Sequence, residues 1–233
     1  GNTVLGESAL DASVSGGNNT AIGKNALTAL TSGINNVAVG ANALDAATTA
    51  NNNSAIGYDA LTNNTASNNT AVGRDAMLSN TSGTTNVGVG SFALDANTEG
   101  SNNTAIGHGS LGANTTASNN TAVGKSALTT NTTGIQNVAV GANALDANTT
   151  ANNNTAVGND AATANTTGAR NSAFGQSSLL VNTTGNENTA IGNGSLQSNT
   201  TASNNTAVGN NSLAANTTGT FNTAVGSLAL DAN

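Results

Sequence analysis

Cysteine, proline and tryptophan are absent from the 233-residue sequence. Without cysteine there are no disulfides and no thiolate metal ligands, a usage that fits an extracellular bacterial or viral protein. Aromatic residues are only 2% and charged residues only 6% of the chain, and most of the 36% hydrophobic content is alanine. A globule of ordinary type cannot be built from this material. Ordering a backbone costs roughly 1–2 kcal/mol per residue, and alanine, asparagine, threonine and glycine offset that only in a regular architecture. Disorder is the usual reading of so biased a composition, but low charge and strict periodicity oppose it. Bases are scarce too. Lys24, Arg74, Lys125 and Arg170 stand singly against eleven acids, for a formal charge of −7. Nucleic-acid binding needs clustered cations and is not expected. No stretch approaches the roughly 20 apolar residues of a membrane span, so this segment is not expected to enter a bilayer. No signal peptide is visible. The sequence begins at Gly1 and stops at Asn233 within a repeat, which predicts a fragment of a longer fibrous protein.

What is present is a repeat. A glycine closes a small apolar tripeptide at Gly6, Gly23, Gly40, Gly57, Gly73, Gly90, Gly107, Gly124, Gly141, Gly158, Gly175, Gly192, Gly209 and Gly226. The spacing is 17 throughout, except for 16 between Gly57 and Gly73. With that glycine as position 1, the consensus is G-x-x-A-L-x-x-N-T-T-G-x-x-N-T-A-V. Residues 24–56 closely resemble residues 125–157, an offset of 101, which points to duplication of multi-repeat blocks. Position 5 is leucine except at Met77 and Ala162. Position 16 is alanine, or glycine at Gly88, apart from Val4. Position 17 is always apolar.

No helical periodicity of i, i+3, i+4 and i+7 runs through this pattern. The segment Asn-Thr-Ala-Val-Gly reads as a short strand, with a second extended piece at Ala-Leu. Asn-Thr-Thr-Gly reads as a turn, because asparagine and glycine tolerate positive φ. One parallel β-solenoid domain over residues 1–233, with about fourteen 17-residue coils, is therefore expected. Alternation places positions 15 and 17 on one strand face and 14 and 16 on the other. Val37, Val87 and Val138 at position 15 argue that the 15/17 face points inward. Phe174 should then fill the space left by Ala162. Position 16 would face outward, where its small side chain suits close approach by a second chain. Stacked coils place like on like about 4.8 Å apart. Asn19, Asn36, Asn53, Asn69, Asn86, Asn103, Asn120, Asn137, Asn154, Asn171, Asn188, Asn205 and Asn222 at position 14 would form a buried amide ladder. The residue missing from the 16-residue copy falls between Asn64 and Asn69, in the turn. Each coil offers only two large apolar side chains, worth about 1.5–3 kcal/mol each. A second buried surface, such as a homo-oligomer, would help.

The motifs Asn53 to Gly57 (Asn-Ser-Ala-Ile-Gly) and Asn36 to Gly40 (Asn-Val-Ala-Val-Gly) resemble the head repeats of YadA-like trimeric autotransporter adhesins, whose usual form is Asn-Ser-Val-Ala-Ile-Gly. The same array is similar to shafts of bacteriophage tail fibres. The resemblance covers the whole chain. It implies a left-handed β-roll, a homotrimer, a place on a bacterial surface or phage virion, and binding to a host-surface protein or glycan. The adhesin repeat is shorter, so this coil must carry a longer turn or a different cross-section. No neck, stalk or anchor is present, and adhesin and tail fibre stay undivided.

Chemistry-bearing residues are few. Gly107-His108-Gly109-Ser110-Leu111-Gly112 matches the dinucleotide fingerprint by letter, but that motif needs a following helix and two of its glycines are ordinary repeat substitutions. His108 is the only histidine and occupies a variable, outward position. Asp11, Asp45, Asp95, Asp146 and Asp231 share position 6 in non-adjacent coils. They read as solubilising turn residues, because calcium wants several ligands at one site. No Ser–His–Asp set, cofactor or metal site is expected, and the chain reads as a non-enzyme. Asn-x-Thr glycosylation triplets are explained by turn and stacking chemistry. Tyr58, Phe92 and Phe221 are the candidate surface-contact residues, with Ile34 and Ile135 beside them. The expected function is a rigid shaft or head for attachment. The alternatives are a self-assembling filament or surface-layer element, and an ice-binding solenoid using rows of threonine; a glycan depolymerase ranks last.

Overall fold

The structure is a computed structural model and describes residues 1–231. The chain is an all-β solenoid that divides into two compact units, Gly1–Ser118 and Asn119–Asn233. Unit 1 carries β1 (Thr3–Leu5), β2 (Thr20–Ile22), β3 (Val37–Val39), β4 (Ser54–Ile56), β5 (Thr70–Val72), β6 (Val87–Val89) and β7 (Thr104–Ile106). Unit 2 carries β8 (Thr121–Val123), β9 (Val138–Val140), β10 (Thr155–Val157), β11 (Ser172–Phe174), β12 (Thr189–Ile191), β13 (Thr206–Val208) and β14 (Thr223–Val225). Within each unit consecutive strands pair in parallel, one coil apart, with each repeat position facing its own copy: Thr20 with Val37, Ala21 with Ala38 and Ile22 with Val39. The described residues form no helix.

The strands cover positions 15 to 17, but their faces are the reverse of the sequence expectation. Position 16 points inward. Ala21, Ala38, Ala55, Ala71, Ala105, Ala122, Ala139, Ala156, Ala173, Ala190 and Ala207 are fully buried. Position 17 points outward, with Ile56, Ile106 and Ile191 each about 40% exposed. The anticipated Phe174–Ala162 contact fails for the same reason: Phe174 is 40% exposed, whereas Ala162 lies in the core. Position 16, shut inside its own coil, cannot be the contact between chains.

One coil shows the cause of the inversion. Met77, the only methionine, takes position 5 in the coil whose position 16 is Gly88, the only glycine there. A Cβ on Gly88 would lie 3.0 Å from Met77 Cγ and 3.1 Å from its sulfur. Positions 5 and 16 therefore meet across a thin interior. The leucine column (Leu27, Leu44, Leu61, Leu94, Leu111, Leu128, Leu145, Leu179, Leu196 and Leu213) is fully buried. It leaves room opposite for a methyl group and no more, and the β-branched residues go outside.

The Ala-Leu segment is not extended. Positions 1 to 7 form successive turns, such as Ala26 N–H to Gly23 O and Leu30 N–H to Leu27 O. Leucine sits in the left-handed region in nearly every coil, as at Leu27 (φ 55°) and Leu145 (φ 51°). Such backbone is uncommon for a residue other than glycine, asparagine or aspartate, and burial of the side chain holds it. Position 1 must be glycine. At Gly141 φ is 137°, and a Cβ would lie 2.3 Å from the carbonyl oxygen of Gly158 in the next coil.

The shortened coil keeps its register, with Ser54 facing Thr70 and Ile56 facing Val72. Asn64 Nδ2 reaches Ala66 O two residues on, whereas its counterpart Asn80 reaches Gly83 O three residues on. The deletion removes position 10, in the turn.

Candidate functional site

Three features of the coil decide what each surface offers. The first is the asparagine framework, which is internal. Within each unit the position-14 Oδ1 accepts the backbone N–H of the next coil's asparagine: Asn19 from Asn36 at 2.9 Å, Asn120 from Asn137 at 2.9 Å and Asn205 from Asn222 at 3.0 Å. From Asn19 to Asn205 the Nδ2 donates to a position-11 carbonyl, fourteen residues on as from Asn69 to Gly83 O and Asn154 to Gly168 O, and thirteen from Asn53 to Ala66 O in the shortened coil. The bonding is thus chiefly between side chain and backbone.

A second column lies at position 8, where the sequence suggests turn chemistry. It is a buried side-chain ladder. Asn80 Nδ2 donates to Asn64 Oδ1 at 2.6 Å, Asn97 to Asn80 at 2.7 Å, Asn148 to Asn131 at 2.8 Å and Asn199 to Asn182 at 2.9 Å. Both columns converge on the same carbonyls. Gly100 O accepts from Asn86 and from Asn97, which uses both of its lone pairs. Asparagine at every copy from Asn64 onward was the available signal; its companion threonines and glycine pointed to a turn instead. From Asn114 to Asn216 these asparagines head the Asn-Thr-Thr triplets, and burial closes them to glycosylation in the folded coil.

The second feature is the outward strand face. Position 15 presents threonine, serine or valine, and position 17 presents valine, isoleucine, leucine or phenylalanine, with no charged side chain in either column. In unit 1 position 17 runs Leu5, Ile22, Val39, Ile56, Val72, Val89, Ile106; in unit 2 it runs Val123, Val140, Val157, Phe174, Ile191, Val208, Val225. The position-9 hydroxyls are committed to the fold: Thr81 Oγ1 donates to Thr98 O, and Thr166 Oγ1 to Thr183 O. Those at position 15, such as Thr20 and Thr155, face out.

The third feature is the corner at positions 2 and 3 of unit 1, where Tyr58, Arg74, Asp75, Phe92 and His108 come together. Arg74 Nε pairs with Asp75 Oδ2 at 2.9 Å, and its guanidinium lies 5.5 Å from the Phe92 ring centre. His108 meets Phe92 edge to face, with centroids 5.9 Å apart. Asp75 is buried and Tyr58 is 52% exposed. Phe221, in unit 2, is 77% exposed and belongs to no such group. Ile34 and Ile135 are exposed singly in the turn before the position-14 asparagine.

The remaining charges are dispersed. Lys24 pairs with Glu7, and Arg170 with Glu187, both across neighbouring coils; such exposed pairs add little stability. Partial burial raises the pKa of Asp95, with a smaller contribution from Asp75, and burial likewise raises that of Asp146. Among the described residues no three acidic or histidine side chains gather as a metal site. The Gly107–Gly112 stretch leaves β7 for turns rather than a helix.

Fold and surfaces together define a β-solenoid repeat protein. No family model, no curated protein and no solved structure matches the chain.

Proposed function

We propose that the chain is a non-enzymatic, extracellular fibrous domain, carried on a bacterial surface or phage virion, that serves as a rigid shaft or head in attachment. In this reading copies of the chain, three in number, lie side by side and bury the outward strand face against one another. The observation that carries it is the uncharged 15/17 face. In each unit a column of apolar side chains, mostly β-branched, stays outside the core at position 17, and contiguous exposed apolar surface marks an interaction site. In-register coils let like rungs of neighbouring chains meet along their length. The likeness to adhesin heads and tail-fibre shafts supports the same arrangement.

The test is the absolute mass in solution, by light scattering. A mass of three chains is expected. Ile106→Lys with Ile191→Lys, one substitution per unit, should bring it to one chain with the circular dichroism spectrum unchanged. A wild-type mass of one chain sinks the side-by-side reading.

A second reading rests on the same face. Outward threonine beside outward valine or isoleucine, repeated about every 4.8 Å, is also suited to ordering water as ice. Thermal hysteresis at high protein concentration supports it, and its absence removes it.

A further inference from the structure

Most residues at positions 2 and 3 are alanine, asparagine, serine, glutamine or glycine. Four consecutive coils of unit 1 depart from this. They hold two of the four aromatic residues (Tyr58 and Phe92), the only histidine and one of the four bases. The same positions in unit 2 hold one base, Lys125, and no aromatic side chain.

These side chains are arranged rather than scattered. Phe92 stands at the centre in the left-handed conformation (φ 60°), where the other coils use asparagine, aspartate, serine or glycine, and the last coil Leu228. Its ring is engaged by Arg74 from the coil before and by His108 from the coil after. It acts as a pillar that fixes both. Asp75, buried beside it, holds Arg74 by Nε and leaves the two terminal nitrogens as donors. Tyr58 lies one rung beyond Arg74 in the same column, with its ring open to solvent. Asp59 accepts from Asn42 Nδ2 through one oxygen and keeps a second for another donor.

Backbone groups at this corner are already used. Asp75 N–H bonds to Tyr58 O, Phe92 N–H to Arg74 O and Gly109 N–H to Ser91 O. A peptide therefore finds no strand edge to extend. Nor does the corner favour an anion, because Asp59, Asp75 and Asp95 outnumber Arg74. What is left is one open aromatic platform beside planar polar groups that both donate and accept. That combination suits a ring with an apolar face and a rim of hydroxyls.

We propose that this corner is a carbohydrate-binding patch for neutral hexose glycans. A pyranose stacks on Tyr58, its hydroxyls bond to Arg74 and Asp59, and the next sugar lies along the coil axis towards His108. The patch gives the attachment reading its ligand class and rests on it. Phe92 is a positioning residue.

Tyr58 is the only tyrosine and there is no tryptophan, so intrinsic emission reports this site alone. The experiment titrates the full chain with cellohexaose, maltohexaose and mannohexaose, using hexagalacturonate and a mixed hexapeptide pool as comparators. A saturable change in Tyr58 emission with a neutral oligosaccharide is expected. Arg74→Gln should weaken it by roughly tenfold or more, as should Phe92→Asn, which installs a residue that other coils carry there. Circular dichroism checks that both variants fold. No saturable response to any neutral sugar at millimolar concentration overturns the proposal. So does a response confined to the polyuronate or the peptides, or one that both variants retain. Light scattering on the same samples separates the two ideas. Lost sugar binding with an unchanged multi-chain mass defeats this patch alone, whereas sugar binding by a single chain defeats the side-by-side assembly alone.

Discussion

Asparagine does two jobs in this coil, and the residue one expects at a turn is the one most deeply held. A buried amide is tolerated only when its donors and acceptors are matched, and no buried side-chain nitrogen or oxygen is without a partner among the described residues. Asn97 illustrates the dependence. It donates to Asn80 Oδ1 and Gly100 O and accepts from Asn114 Nδ2. Asn97→Ala takes the acceptor from Asn114 and the donor from Asn80 and Gly100 at one stroke. It should cost about 1–3 kcal/mol per polar group left unmatched, read from denaturant unfolding. The same column holds Leu30 and Ala47 in two earlier coils, both buried, and Ala47 is one coil from Asn64, so the column also accepts apolar side chains, even beside an amide.

At the scale of the element, the three-residue strand explains what was legible and what was not. The repeat length, strand position, parallel stacking, leucine column and site of the deletion all follow from periodicity. The facing of the strand does not, because three residues carry too little alternation to choose a side. Volume decides it, through the contact between positions 5 and 16. Nor could the left-handed leucines be foreseen: propensity argues against them, and only the packed interior holds them. The tertiary grouping of Tyr58, Arg74, Phe92 and His108 was likewise hidden, because 34 residues separate Tyr58 from Phe92 in sequence and only two rungs separate them in the coil.

Two measurements test this assignment of inside and outside. Leu128→Ala, at a fully buried site, should cost about 2–5 kcal/mol, and Val157→Ala, on the half-exposed column, markedly less in the single chain. Gly88→Ala should cost about 1–3 kcal/mol by crowding Met77. Combined with Met77→Leu it should be close to neutral, because that pair recreates the leucine–alanine coil found elsewhere. A double-mutant cycle by thermal unfolding measures the coupling, and additivity would place Met77 and Gly88 apart.

For the whole molecule, eleven acids against four bases leave stability to respond to acid. Asp95 and Asp146 have pKa values raised above 3.8 in the fold, chiefly by desolvation. The sign follows from linkage. The unfolded chain gives up these protons first as pH rises, so each group favours the fold most below about 3.8 and loses that contribution as pH climbs through its raised folded value. Asp95→Asn with Asp146→Asn should therefore raise the unfolding midpoint at neutral pH. The difference from wild type should shrink as pH falls into the carboxylate range. A gain independent of pH would refer the effect to packing.

The loss of position 10 between Asn64 and Ala66 leaves the strand register on both sides intact, and this has a genetic reading. A coil tolerates length error at its corner, and its neighbours recognise only a rung like themselves. Slippage or unequal crossing-over that inserts or removes whole 17-residue modules would thus yield a folded product every time. The close resemblance of residues 24–56 to residues 125–157 is the trace such an event leaves. Reach becomes a copy number, adjustable in steps of about 4.8 Å, while a local cluster such as that around Phe92 can be written into a few copies without redrafting the rest.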